Sequence, residues 1–272
     1  MQAIGAADLA EVDAFLARRP YENVFLRWIV SCGALTQNGR SLCYLWRAPG
    51  GAIDGVCYFG AQFVLASENE EALEAFEEMA RAMPPARMIV GPREPVARWW
   101  ERLRLWHRDA RLVRAHQPVC VLTRATLRGS RDDADVGIAS MAELDEIARE
   151  SAAMIAHETG IDPAINHRDF RERTAQAINA GWWWRWREQG KLRFQCSIGA
   201  HSSTTVQLQG VWTPPAQRQR GYATSALGAT CDRLLDDVAS LCLYVNDFNV
   251  PALALYDRIG FEPVSEFMTL LF

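Results

Sequence analysis

Residues 206–224 read Val-Gln-Leu-Gln-Gly-Val-Trp-Thr-Pro-Pro-Ala-Gln-Arg-Gln-Arg-Gly-Tyr-Ala-Thr and constrain the fold more than any other stretch. An apolar strand end (Val206, Leu208, Val211, Trp212) stops at Pro214-Pro215. A basic, glycine-containing turn follows, and a helix over 224–239 then sets Leu227, Cys231, Leu234, Leu235 and Val238 at helical spacing. This strand–turn–helix order commits the region to an α/β layer. It also places unpaired N–H donors and the positive dipole end at the helix start, where an anion is favoured. Gly221 permits an unusual φ/ψ and a close backbone approach. The turn reads as an anion cradle of the kind that takes a pyrophosphate.

The order of elements extends this plan over the whole chain. Helices over 7–18 and 21–32 precede strand-like runs at 41–47 and 53–65, an amphipathic helix at 70–83, a strand at 87–90, a helix at 95–105 and a strand at 113–123. A polar segment, 126–135, has loop composition. Helices at 141–155 and 167–180 then lead to strands at 182–187, 192–199 and 204–212. The helix after the basic turn, a strand at 241–246, a helix at 251–259 and a strand at 263–272 close the chain. The expectation is an α/β (α+β) protein of two similar halves, each a mixed central sheet flanked by helices.

Composition excludes several alternatives. The chain has 272 residues, 49% hydrophobic and 23% charged, with a net charge of -4, which argues against nucleic acid as the main partner. The seven cysteines are scattered and form no C-x-x-C pair, so buried free thiols are expected rather than a metal site or disulfides. No apolar run approaches a membrane span, and the first ten residues lack a signal-peptide core. A cytoplasmic location is expected.

The pattern Arg218-x-x-Gly221-x-Ala223 is followed by Asn249-x-x-Ala252-x-x-x-Tyr256 and Gly260-Phe261, in order and at consistent spacing. Together these resemble the GNAT superfamily of acyl-CoA-dependent acyltransferases, over roughly residues 135–272. The chain further resembles a GNAT subfamily with an N-terminal domain of uncharacterised function, through Glu22-Asn23-Val24-Phe25-Leu26, Ile89-Val90-Gly91-Pro92, Gln209-Gly210-Val211-Trp212 and the segment 243–249. Domains are accordingly expected at 1–125 (a degenerate GNAT-like half) and 135–272 (an acetyltransferase domain), with a linker at 126–134.

The resemblance implies an acetyl-CoA-dependent N-acyltransferase in which a primary amine attacks the thioester directly. Backbone amides of Gln219, Arg220, Gly221, Tyr222, Ala223 and Thr224 would hold the CoA pyrophosphate, with Arg218 adding charge. Strands 206–212 and 241–246 would splay at a bulge to admit the pantetheine arm, with the Val211 N–H polarising the acetyl carbonyl. Tyr256 is the candidate general acid, against a tyrosine that merely packs on the core. Asn249 would cap its helix and face the CoA arm, and Asn246 is either a ligand contact or a turn residue.

The strand before the cradle offers Gln207 and Gln209, where many relatives carry a glutamate base. Glu158, between the first two helices of the second half, is the candidate carboxylate, ahead of His157 and Asp162. A solvated loop acid is the alternative. The acceptor is an amine, small molecule or protein, and no metal is indicated. A non-catalytic acyl-CoA-binding or regulatory module is the competing reading. The acidic junction 66–71 of the first half argues against CoA binding there. The Trp182-Trp183-Trp184-Arg185-Trp186 run reads as packing on both faces of a strand.

Overall fold

A computed structural model of the chain describes residues 1–128, 135–163 and 167–272. The linker residues 129–134 lie outside the described residues. In chain order the elements are β1 (Gln2–Ala3), α1 (Leu9–Leu16), α2 (Val24–Ser31), β2 (Thr36–Gln37), β3 (Arg40–Ser41), β4 (Cys43–Arg47), β5 (Ile53–Phe59), β6 (Gln62–Ala66), α3 (Glu70–Ala82), β7 (Met88–Pro92), α4 (Arg93–Leu103) and β8 (Leu112–Thr123). There follow β9 (Val136–Ile138), α5 (Leu144–Thr159), α6 (His167–Asn179), β10 (Trp183–Glu188), β11 (Lys191–His201), β12 (Thr205–Trp212), α7 (Tyr222–Leu234), β13 (Ser240–Tyr244), α8 (Val250–Ile259) and β14 (Glu262–Leu271). The fold class is mixed α/β, as expected.

Two compact units emerge, each discontinuous in sequence. The first comprises 1–120, 244–249 and 263–272; the second comprises 121–243 and 250–262. In the first, antiparallel β1, β4, β5 and β6 lead to β7, which runs parallel to β6 and antiparallel to β14. The final strand, read from sequence as closing the second half, therefore completes the sheet of the first unit. In the second unit, antiparallel β9, β10, β11 and β12 lead to β13, parallel to β12. Each unit thus has one parallel pair joined through a helix, β6–α3–β7 and β12–α7–β13, as parallel strands require a crossover.

The expected single strand 53–65 is two strands, β5 and β6, paired as a hairpin through Gly60 and Ala61. Ile53, Val56, Cys57, Phe59, Phe63, Val64 and Leu65 are all buried. The run is apolar on both faces, so its periodicity does not mark the turn. A Cβ at Gly60 would lie 2.1 Å from the Tyr58 hydroxyl, which explains the glycine.

The first unit's core centres on Trp99, Phe59, Phe63 and Phe76, with Trp99 wholly buried and edge-on to Phe59 at 6.3 Å. Helix α3 seats Leu73, Phe76 and Ala80 on this core. Its start is closed by Asn69, whose Oδ1 accepts from Glu71 N–H at 2.9 Å and Ala72 N–H at 3.3 Å. Asn69→Ala leaves those donors unpaired and should lower unfolding free energy by about 1 kcal/mol, read as a lower urea midpoint.

The tryptophan run packs within the second unit. Trp183 rests against the Leu144, Ile147 and Ile178 cluster, and Trp186 meets Tyr222 edge-on at 5.0 Å. Six cysteines are buried and only Cys32 is exposed. Burial pushes the Cys196 and Cys242 thiols up to about 12 and Cys120 up to about 11, so these behave as small core residues.

Candidate functional site

The second unit opens at the carboxyl ends of β12 and β13. Their parallel register runs from Thr205↔Ser240 through Val206↔Leu241 to Gln207↔Cys242 and ends there, although β12 continues to Trp212 and β13 to Tyr244. On its other edge β12 shifts register against β11: Gln209 faces Ser197 and Trp212 faces Gln195. Three steps on β12 thus match two on β11, which places a bulge at Gly210–Val211. Gly210 takes φ +63°, left-handed backbone that glycine adopts without strain. Val211 is half-buried in this bulge.

Beyond Trp212 the chain makes a 3-10 turn over Pro215–Gln217 and enters the basic stretch. Gln219 has φ +60° and Gly221 φ +81°, while Arg220 between them does not share the positive φ. This alternation curls successive N–H groups toward one side, the geometry of an anion-binding nest. Gly221 caps α7 with no side-chain hydrogen bond, and the first helical bond runs from Ser225 N–H to the Gly221 carbonyl. The N–H groups of Tyr222, Ala223 and Thr224 therefore have no acceptor within the helix. Arg218, Arg220 and Gly221 are exposed, and no atom lies within 4 Å of where a Gly221 Cβ would stand.

Side chains brace the cradle from below. Arg218 lies over the Trp212 ring at 4.6 Å and donates from Nε to the Thr213 carbonyl at 3.2 Å. Buried Arg193 donates to Gln217, pairs with Glu188 at 3.0 Å and lies 5.1 Å over the Tyr222 ring. Tyr222 in turn donates its hydroxyl to Glu188 at 3.0 Å. Its hydroxyl is thus committed to the scaffold, and its N–H is what it offers a ligand.

The remaining candidates fall in different places. Tyr256, on α8, is 8% exposed, with its ring edge-on to Phe261 at 5.7 Å. Gly260, with φ +105°, turns the chain from α8 into β14; a Cβ there would stand 1.9 Å from the Thr126 carbonyl oxygen. Asn246 groups with the first unit and is buried, its Oδ1 accepting from Gln117 Nε2 at 3.0 Å. Asn249 groups there too, donating its N–H to the Asn246 carbonyl at 3.0 Å. The structure brings Val211 and residues 218–224 together in the second unit. It gives Asn246 a structural hydrogen bond.

Glu158 was expected between two helices; it instead occupies the last turn of α5, exposed to solvent. The helix runs on to Thr159 because its stop is Gly160, at φ +70°, a left-handed C-cap. A carboxylate that the motifs do not mark stands at the bulge. Glu150 Oε2 accepts from the Trp212 indole Nε1–H at 3.1 Å, and its side chain is 20% exposed. Met154, one turn on, lies 3.7 Å from where a Gly210 Cβ would be, and His157, a further turn on, meets Trp212 edge-on at 6.1 Å. Residues 150, 154 and 157 thus form one face of α5 turned to the bulge. Beside them Gln195 Nε2 donates to Ser151 Oγ at 2.9 Å, while Gln195 Oε1 is buried with no donor among the described residues. Periodicity marks the helical face holding Glu150, but only the β11–β12 register shows what that face meets.

A bulged parallel strand pair and a helix-start anion nest, both in the second unit, are the two features that the motifs imply. Residues 141–261 match the acetyltransferase (GNAT) family, and residues 43–147 match a domain of unknown function (DUF4081). The two matched segments together resemble a GNAT acetyltransferase domain preceded by that uncharacterised domain. No curated protein matches it.

Solved structures share the fold at low identity. A GCN5-related N-acetyltransferase from Sphaerobacter thermophilus aligns with a TM-score of 0.63 at 14% identity, covering 99% of this chain and 93% of that one. A GNAT-family acetyltransferase from Colwellia psychrerythraea aligns at 0.57 and 11% identity, covering 100% and 98%. A tandem GNAT protein from the clavulanic acid biosynthesis pathway aligns at 0.57 and 11% identity, covering 99% and 96%. Among the described residues no helix is long and apolar enough to cross a membrane, and no group of His, Cys, Asp and Glu could hold a metal.

Proposed function

We propose that this chain is an acetyl-CoA-dependent N-acyltransferase that transfers the acetyl group directly to a primary amine. The observation that carries the reading is the bulge at Gly210–Val211, where β12 leaves β13 beside the nest at 219–224. Backbone N–H groups of the nest take the pyrophosphate, with Arg218 and Arg220 adding charge. The pantetheine arm lies along the splayed strands in the manner of an added strand, and the Val211 N–H polarises the thioester carbonyl.

The amine nitrogen attacks the carbonyl carbon, a C–N bond forms, and the C–S bond then breaks. Glu150 is the proton acceptor in this reading, favoured over exposed Glu158 by its half-burial against the bulge. The ammonium proton reaches its carboxylate through a water, for which the orphaned Gln195 Oε1 supplies a buried acceptor. Tyr256 donates its hydroxyl proton to the departing thiolate, so amine and thioester become amide and free thiol with protons balanced.

A thiol-release assay with acetyl-CoA across a panel of amines tests the reaction. Tyr256→Phe should lower kcat about 100-fold while acetyl-CoA affinity stays within about twofold. Tight acetyl-CoA binding with no turnover of any amine would instead identify a sensor of acyl-CoA.

A further inference from the structure

The first unit repeats the parallel strand pair but not the phosphate cradle. Its parallel pair, β6 and β7, registers Gln62↔Met88, Phe63↔Ile89 and Val64↔Val90, three pairs as in β12 and β13, and stays close at the next step, where a Gly91 Cβ would stand 3.1 Å from the Leu65 carbonyl oxygen. Where the second unit presents bare N–H groups at α7, the first fills the start of α3 with the Asn69 side chain and adds Glu70 and Glu71 in the first turn. A phosphate is therefore both blocked and repelled. A cavity of about 190 Å³ nevertheless lies at the carboxyl ends of this pair.

Two segments unused by acyl transfer meet at this cavity: Glu22 and Asn23 from one, Pro92 from the other. Its apolar wall is Phe15, Ala66, Pro92 and Pro95. Arg19 pairs with both Glu22 and Glu68, which leaves this side of the cavity net negative. Two further charged groups line it. Arg18 makes no ion pair among the described residues and lies 5.5 Å over the Phe15 ring. Asp54 receives the Asn69 Nδ2–H on Oδ2 at 2.9 Å, leaving Oδ1 with no protein donor among the described residues. Asn23 and Ser67, 5% and 7% exposed, supply buried polar surface between apolar walls.

One cation outside any ion pair among the described residues, a carboxylate with an open oxygen that shares no arginine, and an apolar wall in an amino-acid-sized space define a complementary ligand. We propose that the first unit binds a free α-amino acid with an apolar side chain, its carboxylate on Arg18 and its ammonium on Asp54. This site is independent of the acyl-transfer reading, because it uses no residue of the second unit.

The test uses the full chain, thermal shift and calorimetry with each of the common amino acids at about 10 mM, a range in which millimolar binders register. At least one apolar amino acid should raise the melting temperature. Its methyl ester and its N-acetyl derivative should each bind about tenfold or more weakly, having lost one of the two charges. Arg18→Gln should erase the preference for acid over ester, and Asp54→Asn the preference for free over acetylated amine. No shift with any amino acid, or an affinity unchanged by both substitutions, would overturn the proposal. Competition by acetyl-CoA in a Gly221→Asp background would also overturn it, by showing a second donor site.

Discussion

Gly221→Asp is expected to abolish useful acetyl-CoA affinity while leaving the fold intact. The position has φ +81° and open space around a Cβ, and aspartate is among the few non-glycine residues that enter left-handed backbone at modest cost. As the N-cap of α7, its carboxylate would accept the N–H groups that otherwise meet the pyrophosphate. It would also place a negative charge where two more must bind, and like charges about 4 Å apart near a protein surface repel by roughly 4 kcal/mol. Allowing for screening, the dissociation constant should rise by at least about 100-fold, or about 2.8 kcal/mol, with part of the loss recovered in high salt. Gly221→Asn supplies the same cap without the charge and should lose far less. Calorimetry with acetyl-CoA reads both, and wild-type affinity in the aspartate variant would remove the cradle from the donor site.

The second large effect is expected at Glu150. Glu150→Gln keeps an oxygen acceptor for the Trp212 indole, so the α5–β12 contact should survive while the proton acceptor is gone. At saturating amine, kcat should fall about 100-fold. Acetyl-CoA affinity should not change, which separates this loss from the Gly221→Asp effect. Glu150→Asp, a methylene short, should restore part of the rate. A wild-type kcat in Glu150→Gln, together with a large loss in Glu158→Gln, would move the role to the helix end.

What could be read from sequence follows from how local each signal is. The nest at 219–221, the α7 face and the Tyr256 helix are specified by residues within one or two turns of each other, so spacing alone exposes them. The β5–β6 turn is hidden because the stretches flanking it, 56–59 and 63–66, are apolar at every position. The hydrogen bond between Asn246 and Gln117, 129 residues away, is not legible in the sequence, where Asn246 reads as either a ligand contact or a turn residue. Glu150 carried no motif at all; its candidacy arises from an indole 62 residues distant.

The sequence by itself determined the mixed α/β class, the glycine turn before α7 and the order of the longer helices and strands, since each depends on backbone geometry and periodicity within a short stretch. Tertiary structure alone decided that β14 completes the first unit's sheet. It also set the register that bulges β12 at Gly210–Val211, and it brought Glu150 to that bulge. Register and helix seating depend on packing between segments far apart in the chain, which local spacing does not encode.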